Sequence, residues 1–521
     1  MISSFIHVFH LARAGFVFAR EGVLGLVDPA ALPPPARLPL RLARLLERRS
    51  GAGSTVKLSA ALTRLGPTYV KLGQFLATRP DVVGVAIARD LESLQDRMAP
   101  FPQDQAEAAV AAALGKPLRE LFASFSTPVG AASVAQVHKA EIADSHEVVA
   151  VKVLRPGVEQ RIKSDLETLR FAARNAEQRD PEARRLRFVE VVETLARSVT
   201  IEMDMRLEAS AIAEMRDNTK DDSDFRVPAV DWERTARGVL TLEWIDGMKM
   251  TDRAALEASG LDLPALGRAL MQTFLRHALR DGFFHADMHP GNLFVDPDGR
   301  IVAVDFGIMG RLSPKERRFL AEILYGFITR DYRRTAEVHF EAGYVPGHHS
   351  VESFAQAIRA IGEPIHNRKA SDISMAKLLT LLFEVTGLFD MKTRPELLML
   401  QKTMVVVEGV ARSFDPELDM WATAEPVVRQ WIERNLGVTG RLEEAAQGAG
   451  EIGRFLGAVP GLLTRAGTIA DQLDAATRDG LVLAPQTVAA IGDAEAHRNR
   501  WTARALWVIA ALLAGLVWKL L

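Results

Sequence analysis

The chain has 521 residues, 48% of them hydrophobic and 25% charged, the composition of a folded globular protein rather than a disordered one. Its 64 basic and 66 acidic residues leave a formal charge of −2, without the basic excess that a nucleic-acid surface requires. Cysteine is absent, which excludes disulfides, thiolate metal sites and a cysteine nucleophile.

This length predicts one large two-lobed core with extensions. The first eleven residues, MISSFIHVFHL, lack a charged region ahead of a clean apolar core. A packing or interfacial helix is therefore expected there, not a secretory signal. Pro33, Pro34, Pro35 and Pro39 separate it from residues 40–49, where Arg41, Arg44 and Arg48 recur at helical spacing. Such a stripe suits a solvated face or anionic headgroups. Residues 58–98 read as helical, interrupted at Gly66-Pro67 and Pro80.

Near residue 128 the pattern changes. Residues 128–138 read as a small-residue turn leading into an alternating segment, and residues 148–154 as a buried strand, together a hairpin. Helical periodicity returns over 158–215, and residues 239–244 form another short strand. A helix over 263–279 leads into a loop over 281–292, followed by a strand over 301–304 that ends at Asp305. Residues 313–435 are mainly helical, and 437–467 are glycine-rich and linker-like. Residues 505–518 carry no charge, and with Lys519, Leu520 and Leu521 the run reaches 17 residues, the lower limit for a membrane span. Trp501, Trp507 and Trp518 lie near its ends, and Arg498, Arg500 and Arg504 precede it. That arrangement predicts a membrane helix with the body of the protein on the cytoplasmic side.

The chemistry concentrates in His285-Ala286-Asp287-Met288-His289-Pro290-Gly291-Asn292. Asp287 and Asn292 stand five positions apart, the spacing of the kinase catalytic loop. Phosphoryl transfer needs a carboxylate beside the attacking hydroxyl or water and an oxygen ligand for Mg2+, and one tight loop supplies both. Thirteen residues after Asn292, a strand delivers Asp305-Phe306-Gly307, matching the magnesium-binding D-F-G. Upstream, Val149-Ala150-Val151-Lys152 matches the strand lysine that pairs with nucleotide phosphates. A lone lysine ending a strand is ordinarily a surface lysine; the downstream loop reverses that. Glu208 is the expected helix partner of Lys152. The glycine-rich phosphate loop of ordinary kinases is replaced by Gly130-Ala131-Ala132-Ser133, leading into Val134, and its alanine methyls limit close backbone approach to phosphate.

The combination resembles the UbiB family of atypical kinase-like ATPases, associated with ubiquinone biosynthesis. Lys71-Leu72-Gly73-Gln74 is similar to the family's KxGQ motif, Glu202-Met203-Asp204 to its ExD element, and Gly130 to Ser133 to its Ala-rich loop. A glycine at 130, where many members carry alanine, is the visible departure. The resemblance is dense over residues 60–310. It implies that Lys71 and Gln74 lie on an extension folded over the active site, with Lys71 near Glu202 and Asp204, where they would act as regulatory residues. It also implies a catalytic set of Asp287, Lys152 and Glu208, and magnesium ligands Asn292 and Asp305. Nucleotide contacts would come from Gly130, Ala131, Ala132, Ser133, Val134, Lys152 and Glu243.

The expected fold is α+β: a bilobal protein-kinase-like core with a helical N-terminal extension, a mostly helical large lobe and a C-terminal membrane helix. Its segments are residues 1–57, an extension over 58–120, a small lobe over 121–245, a large lobe over 246–435, a linker over 436–500 and the membrane helix over 501–521. The expected activity is ATP hydrolysis or phosphoryl transfer with ATP and Mg2+ at the inner membrane of a bacterium, in support of ubiquinone biosynthesis. Membrane lipid, quinone-precursor lipids and quinone-biosynthesis enzymes are the expected partners. A small-molecule phosphotransferase, a true protein kinase and a silent nucleotide-binding scaffold are the alternatives. The Lys71 motif and the Ala-rich loop oppose the first and the occluding extension the second. The intact set Lys152, Asp287, Asn292 and Asp305 opposes the third. No flavin fingerprint follows a strand and no iron triad is evident, so the hydroxylase role once attached to the family is rejected.

Overall fold

Alternating burial fixes the first sheet. In β3 (Val148–Leu154), Val149, Val151 and Val153 are buried on one face and leave Ala150 and Lys152 on the other. β3 pairs antiparallel with β2 (Ala135–Ile142) on one side and with β5 (Val239–Glu243) on the other, and β2 pairs with β1 (Phe122–Ala131). The valine face packs with Val110, Leu121, Phe122, Ala140, Ile142 and Val239. Val110 comes from a helix (Gln103–Leu114) closed by Gly115 in the left-handed region. The computed structural model describes residues 2–26, 57–77, 98–179, 186–364, 385–391 and 395–437, together with Glu47, Val83, Ile87, Asp90, Leu91, Leu94 and Arg184.

The helices, numbered along the chain, begin with α1 (Ile2–Arg20), α2 (Lys57–Leu65), α3 (Pro67–Ala77) and α4, the Gln103–Leu114 helix. α5 (Val158–Arg179), α6 (Phe188–Glu202) and α7 (Met205–Asn218) occupy the expected helical stretch between β3 and β5. α1 packs as the sequence suggested: His7 stacks on Phe171 and bonds Thr168, and Ala14 joins Leu62, Leu65, Tyr69, Leu91 and Leu94 in a satellite core. Gly73 permits that packing, because a Cβ there would lie 2.3 Å from Leu94 and 2.7 Å from Leu62. The hydroxyl of Thr68 donates to Asp165 at 2.6 Å, and Arg161 donates to the carbonyl of Leu65 at 2.9 Å, so α2 and α3 are tied to α5.

The second half follows from α8 (Arg253–Ala258) and α9 (Leu263–Arg276). Asp262 caps α9 by accepting from the Ala265 amide, and Leu263, Leu266, Leu270, Met271 and Phe274 form its buried stripe. A π turn over His277–Asp281 ends at Gly282, φ 65, and releases the chain into β7 (Phe283–His285). β8 (Leu293–Val295) and β9 (Ile301–Ala303) form a hairpin, flanked by β4 (Phe225–Arg226) on β9 and β6 (Met248–Lys249) on β8. β10 (Met309–Arg311) returns to pair with β7. α10 (Pro314–Thr329), α11 (Tyr332–Glu341), α12 (Val351–Gly362), α13 (Pro395–Phe414) and α14 (Met420–Leu436) complete the described chain. α13 lies close to α9: a Cβ on Gly267 would meet the Ala411 carbonyl at 2.9 Å.

Residues 1–432 form one compact unit. Its main core runs from Val134 and Leu154 through Phe225, Phe274, Phe284 and Phe306 to Val407 and Ala411, and Leu72 and Phe75 of α3 pack against it. One expectation is corrected. The segment 128–131 is not turn but the end of β1, and only Ala132, Ser133 and Val134 make the turn. Among the described residues no helix is long and apolar enough to cross a membrane. The expected membrane helix and the glycine-rich linker beyond Gly437 lie outside the described residues.

Candidate active site

Lys152 is brought to two carboxylates from opposite parts of the chain. Its ammonium donates to Glu208 at 2.8 and 3.0 Å and to Asp305 at 2.9 Å. Glu208 reaches it because Met205, Glu208, Ala209, Ile212 and Met215 share the buried face of α7. The Phe306 amide donates to the same Glu208 carboxylate at 3.2 Å, so strand lysine, helix glutamate and the Asp305 segment form one linked unit.

Charge follows from this placement. Burial works against the Lys152 cation, but Asp305 and Glu208 outweigh it and hold the ammonium protonated well above its usual range. Burial pushes Glu208 up to about 7, with Asp305 adding to the rise and Lys152 opposing it. The Lys152 cation holds the Asp305 carboxyl well below the ordinary range, and Lys71 contributes in the same direction. The Asp305 side chain is 46% exposed where Lys152 is 15% exposed, so the carboxylate is open to solvent.

The loop after β7 is organised by its own backbone. The Asp287 amide donates to His285 Nδ1 at 3.1 Å, and burial pushes the imidazole of His285 down, keeping it neutral. Asn292 donates to the Asp287 carbonyl at 3.2 Å and its carboxylate at 3.4 Å. The Val304 amide donates to the Asn292 carbonyl at 2.9 Å, and the Ala286 amide to the Ile308 carbonyl at 3.0 Å. The loop and the Asp305 segment are thus stitched together on both sides. Asp305 itself takes φ 67, a left-handed conformation that aspartate tolerates better than most residues. Buried Thr403 on α13 donates to the Ala286 carbonyl at 2.9 Å, a brace that no sequence spacing signals.

These residues fit a nucleotide with Mg2+. The amide nitrogen of Asn292 faces Asp287, which leaves its oxygen for a cation, and Asp305 offers an open carboxylate, a hard-oxygen pair suited to Mg2+. The β1–β2 turn lies at the Lys152 end of the small-lobe sheet, where Val137 pairs with Lys152 and Ala135 with Leu154. Ser133 and Val134 are buried, so their side chains turn inward, and none of Ala131, Ala132 and Ser133 takes a positive φ. This turn therefore needs no glycine for its shape. Arg155 holds it: the guanidinium donates to the Ala132 carbonyl at 2.8 and 3.1 Å and to the Ala99 carbonyl at 2.9 Å. Arg155 carries no motif signal in the sequence; its position just after β3 is its only cue.

Lys71 pairs with Glu202, the last residue of α6, with both side chains largely withdrawn from solvent. Asp204 does not form the expected pair: it caps α7 through the Arg206 amide and binds the Arg206 guanidinium at 2.7 and 2.9 Å. Glu243 points its carboxylate at Arg226, 2.8 Å, and at the Ala229 amide, 3.1 Å. Gln74 is half-buried beside Lys71 on α3.

Comparison with known proteins gives a consistent picture. The model of the ABC1 atypical kinase-like domain matches residues 93–339, and that of the UbiB helical domain matches residues 358–419. A Marinobacter nauticus protein named "Probable protein kinase UbiB" is 39% identical over 441 residues, 83% of this chain and 80% of the relative. One of the same name from Azotobacter vinelandii is 41% identical over 404 residues, 77% of this chain and 75% of the relative. Among solved structures, Rv3197 of Mycobacterium tuberculosis, determined as its erythromycin complex, matches with a TM-score of 0.52 and 25% identity. That match covers 75% of this chain and 97% of Rv3197.

Proposed function

The chain belongs to the UbiB family of atypical kinase-like proteins, and we propose that it binds ATP with Mg2+ and hydrolyses it or transfers its terminal phosphoryl group. The observation that carries this reading is the Glu208–Lys152–Asp305 chain beside the Asp287–Asn292 loop. A magnesium ion held by Asn292 and Asp305 would supply positive charge against the charge that develops on the phosphate. Lys152 supplies a fixed cation for the phosphates, restrained by Glu208. Asp287 orients and accepts a proton from the attacking hydroxyl or water. Asn292 and Asp305 would hold the metal, and the Ala132 to Val134 turn would cover the nucleotide.

Family membership supports a role in ubiquinone biosynthesis, and we place the protein at the inner membrane of a bacterium with its core facing the cytoplasm. Support for attachment comes from the apolar run of residues 505–521 and from exposed Phe9 and Phe16 on α1. Quinone-precursor lipids and quinone-biosynthesis enzymes are the partners this reading names. The ion pair of Lys71 with Glu202, beside Asp305, favours restricted turnover over open access for protein substrates.

The test is nucleotide binding and turnover in two variants. Asp305→Asn keeps a residue tolerant of positive φ, so it should lose Mg2+-dependent ATP binding without losing the fold. Asp287→Asn should retain binding and lose turnover. Wild-type Mg-ATP affinity in Asp305→Asn, or wild-type turnover in Asp287→Asn, would overturn the assignment.

A further inference from the structure

Away from the cleft, His348, His349 and Asp390 are the one histidine and carboxylate cluster among the described residues with metal-ligating geometry. The two histidines lie in the turn between α11 and α12, and Asp390 stands 41 positions beyond His349. His349 Nε2 lies 3.2 Å from Asp390 Oδ2, and His348 Nε2 lies 3.6 Å from the same oxygen. The three donor atoms fall within 4.8 Å of one another. Ligands about 2.0–2.2 Å from a shared zinc-like ion stand about 3.2–3.6 Å apart, so little movement would be needed to close around one.

We propose that His348, His349 and Asp390 form a site for a divalent transition metal of zinc-like preference. Two imidazoles and one carboxylate are the donors such ions take, and Mg2+ favours all-oxygen sites instead. One histidine would satisfy the Asp390 carboxylate as a simple ion pair. Two neighbouring rings, 4.1 Å apart, both direct Nε2 at one carboxylate oxygen, the convergence of nitrogen and oxygen donors that a shared ion takes. The group is held in place from below. His349 packs on Phe389 at 5.2 Å, and Phe389 packs on Phe354 at 5.0 Å in the core beneath. His348 and Asp390 are exposed, so an ion enters from solvent and three protein ligands leave a position for water.

The histidines fall between the two family matches, which end at 339 and begin at 358, and Asp390 lies within the second. A bound ion would therefore clasp residues 385–391 to the α11–α12 turn and stabilise the helical domain. It would act without touching the nucleotide chemistry.

The experiment uses full-length protein stripped with a chelator and titrated with ZnCl2 under excess Mg2+, which occupies the hard-oxygen cleft. Calorimetry should find one saturable equivalent of Zn2+, and the melting temperature should rise with it. Asp390→Asn and the double variant His348→Ala/His349→Ala should each weaken binding at least about tenfold and lose the melting shift. In chelator they should melt with the wild type. The chain has 12 histidines, so adventitious zinc binding is the competing outcome. Absence of a saturable equivalent, or one whose affinity Asp390→Asn leaves unchanged, would overturn the site. The near-isosteric Asp390→Asn keeps the test decisive even where the double variant folds poorly.

Discussion

Lys71 on α3 forms an ion pair with Glu202 at the end of α6, the two side chains being 10% and 20% exposed, and its charge also reaches Asp305. The N-terminal extension is thereby coupled to Asp305, the proposed metal ligand, as well as to the α6–α7 corner. Lys71→Ala should cost about 1.5–3 kcal/mol of stability, the range for hydrogen bonds to charged groups. It should also change ATP turnover, or release self-phosphorylation, by several fold. Glu202→Gln, which removes the same pair from the other side, should move turnover in the same direction. Unaltered kinetics in both variants would reduce the pair to a structural tie.

Arg155 joins the Ala132 and Ala99 carbonyls, so it positions the β1–β2 turn, the proposed nucleotide cover, against the segment entering α4. Arg155→Ala should raise the KM for ATP at least about fivefold with a smaller effect on kcat, because the loss falls on uniform binding. Arg155→Lys should not rescue it, since an ammonium cannot reproduce the planar fork that reaches two carbonyls. Titration of ATP hydrolysis in the two variants decides the matter, and a wild-type KM in both would remove Arg155 from the nucleotide site.

Two glycines in the motifs should behave oppositely. A Cβ on Gly130 meets nothing within 4 Å, so Gly130→Ala should leave stability unchanged or raise it by up to about 1 kcal/mol, with nucleotide binding kept. A Cβ on Gly73 would strike Leu94 and Leu62, so Gly73→Ala should cost about 1–3 kcal/mol and shift α3, carrying Lys71 with it. Thermal melts paired with turnover assays separate the two. Equal tolerance at both positions would show that α3 can reseat freely.

The legible part of the site is the part written locally. Asp287, Asn292 and Asp305 sit at fixed spacings on either side of one hairpin, and Lys152 lies in a strand of alternating valines, so motif and periodicity sufficed. β1 was hidden because Ser124, Ser126 and Pro128 interrupt its pattern and the pairing slips between Phe122 and Gly130. Asp204 and Glu243 take side-chain partners that the sequence did not signal, for different reasons. Asp204 finds Arg206 two positions on, where a helix N-cap offers both an amide and a guanidinium. Glu243 finds Arg226, which only β4 beside β9 brings into reach. The His348, His349 and Asp390 cluster had no spacing cue, because two separated turns assemble it.

The last prediction concerns acid. Asp222, its side chain 5% exposed, accepts from Arg280 at 2.6 and 3.1 Å and lies 3.2 Å from His277 and 3.4 Å from Arg276. Burial alone would raise its carboxyl, but the His277 and Arg280 hydrogen bonds and the Arg276 and Arg280 charges drive it well below the ordinary range. A depressed folded pKa means stability present above the unfolded value of about 3.9 and lost as pH falls through the folded one. Burial pushes the neighbouring His277 imidazole down despite the pull of Asp222. Its neutral form therefore belongs to the fold, and the unfolded chain gains a proton below about pH 6.5, which also favours unfolding. Both groups make the protein weaker in acid, first through His277 and then through Asp222. Asp222→Asn should cost about 3 kcal/mol at neutral pH by leaving Arg276 and Arg280 without their shared carboxylate. It should also flatten the stability profile below about pH 4. Denaturant unfolding from about pH 8 to about pH 3 measures both effects. Parallel profiles for the wild type and Asp222→Asn at the acid end would sink this account.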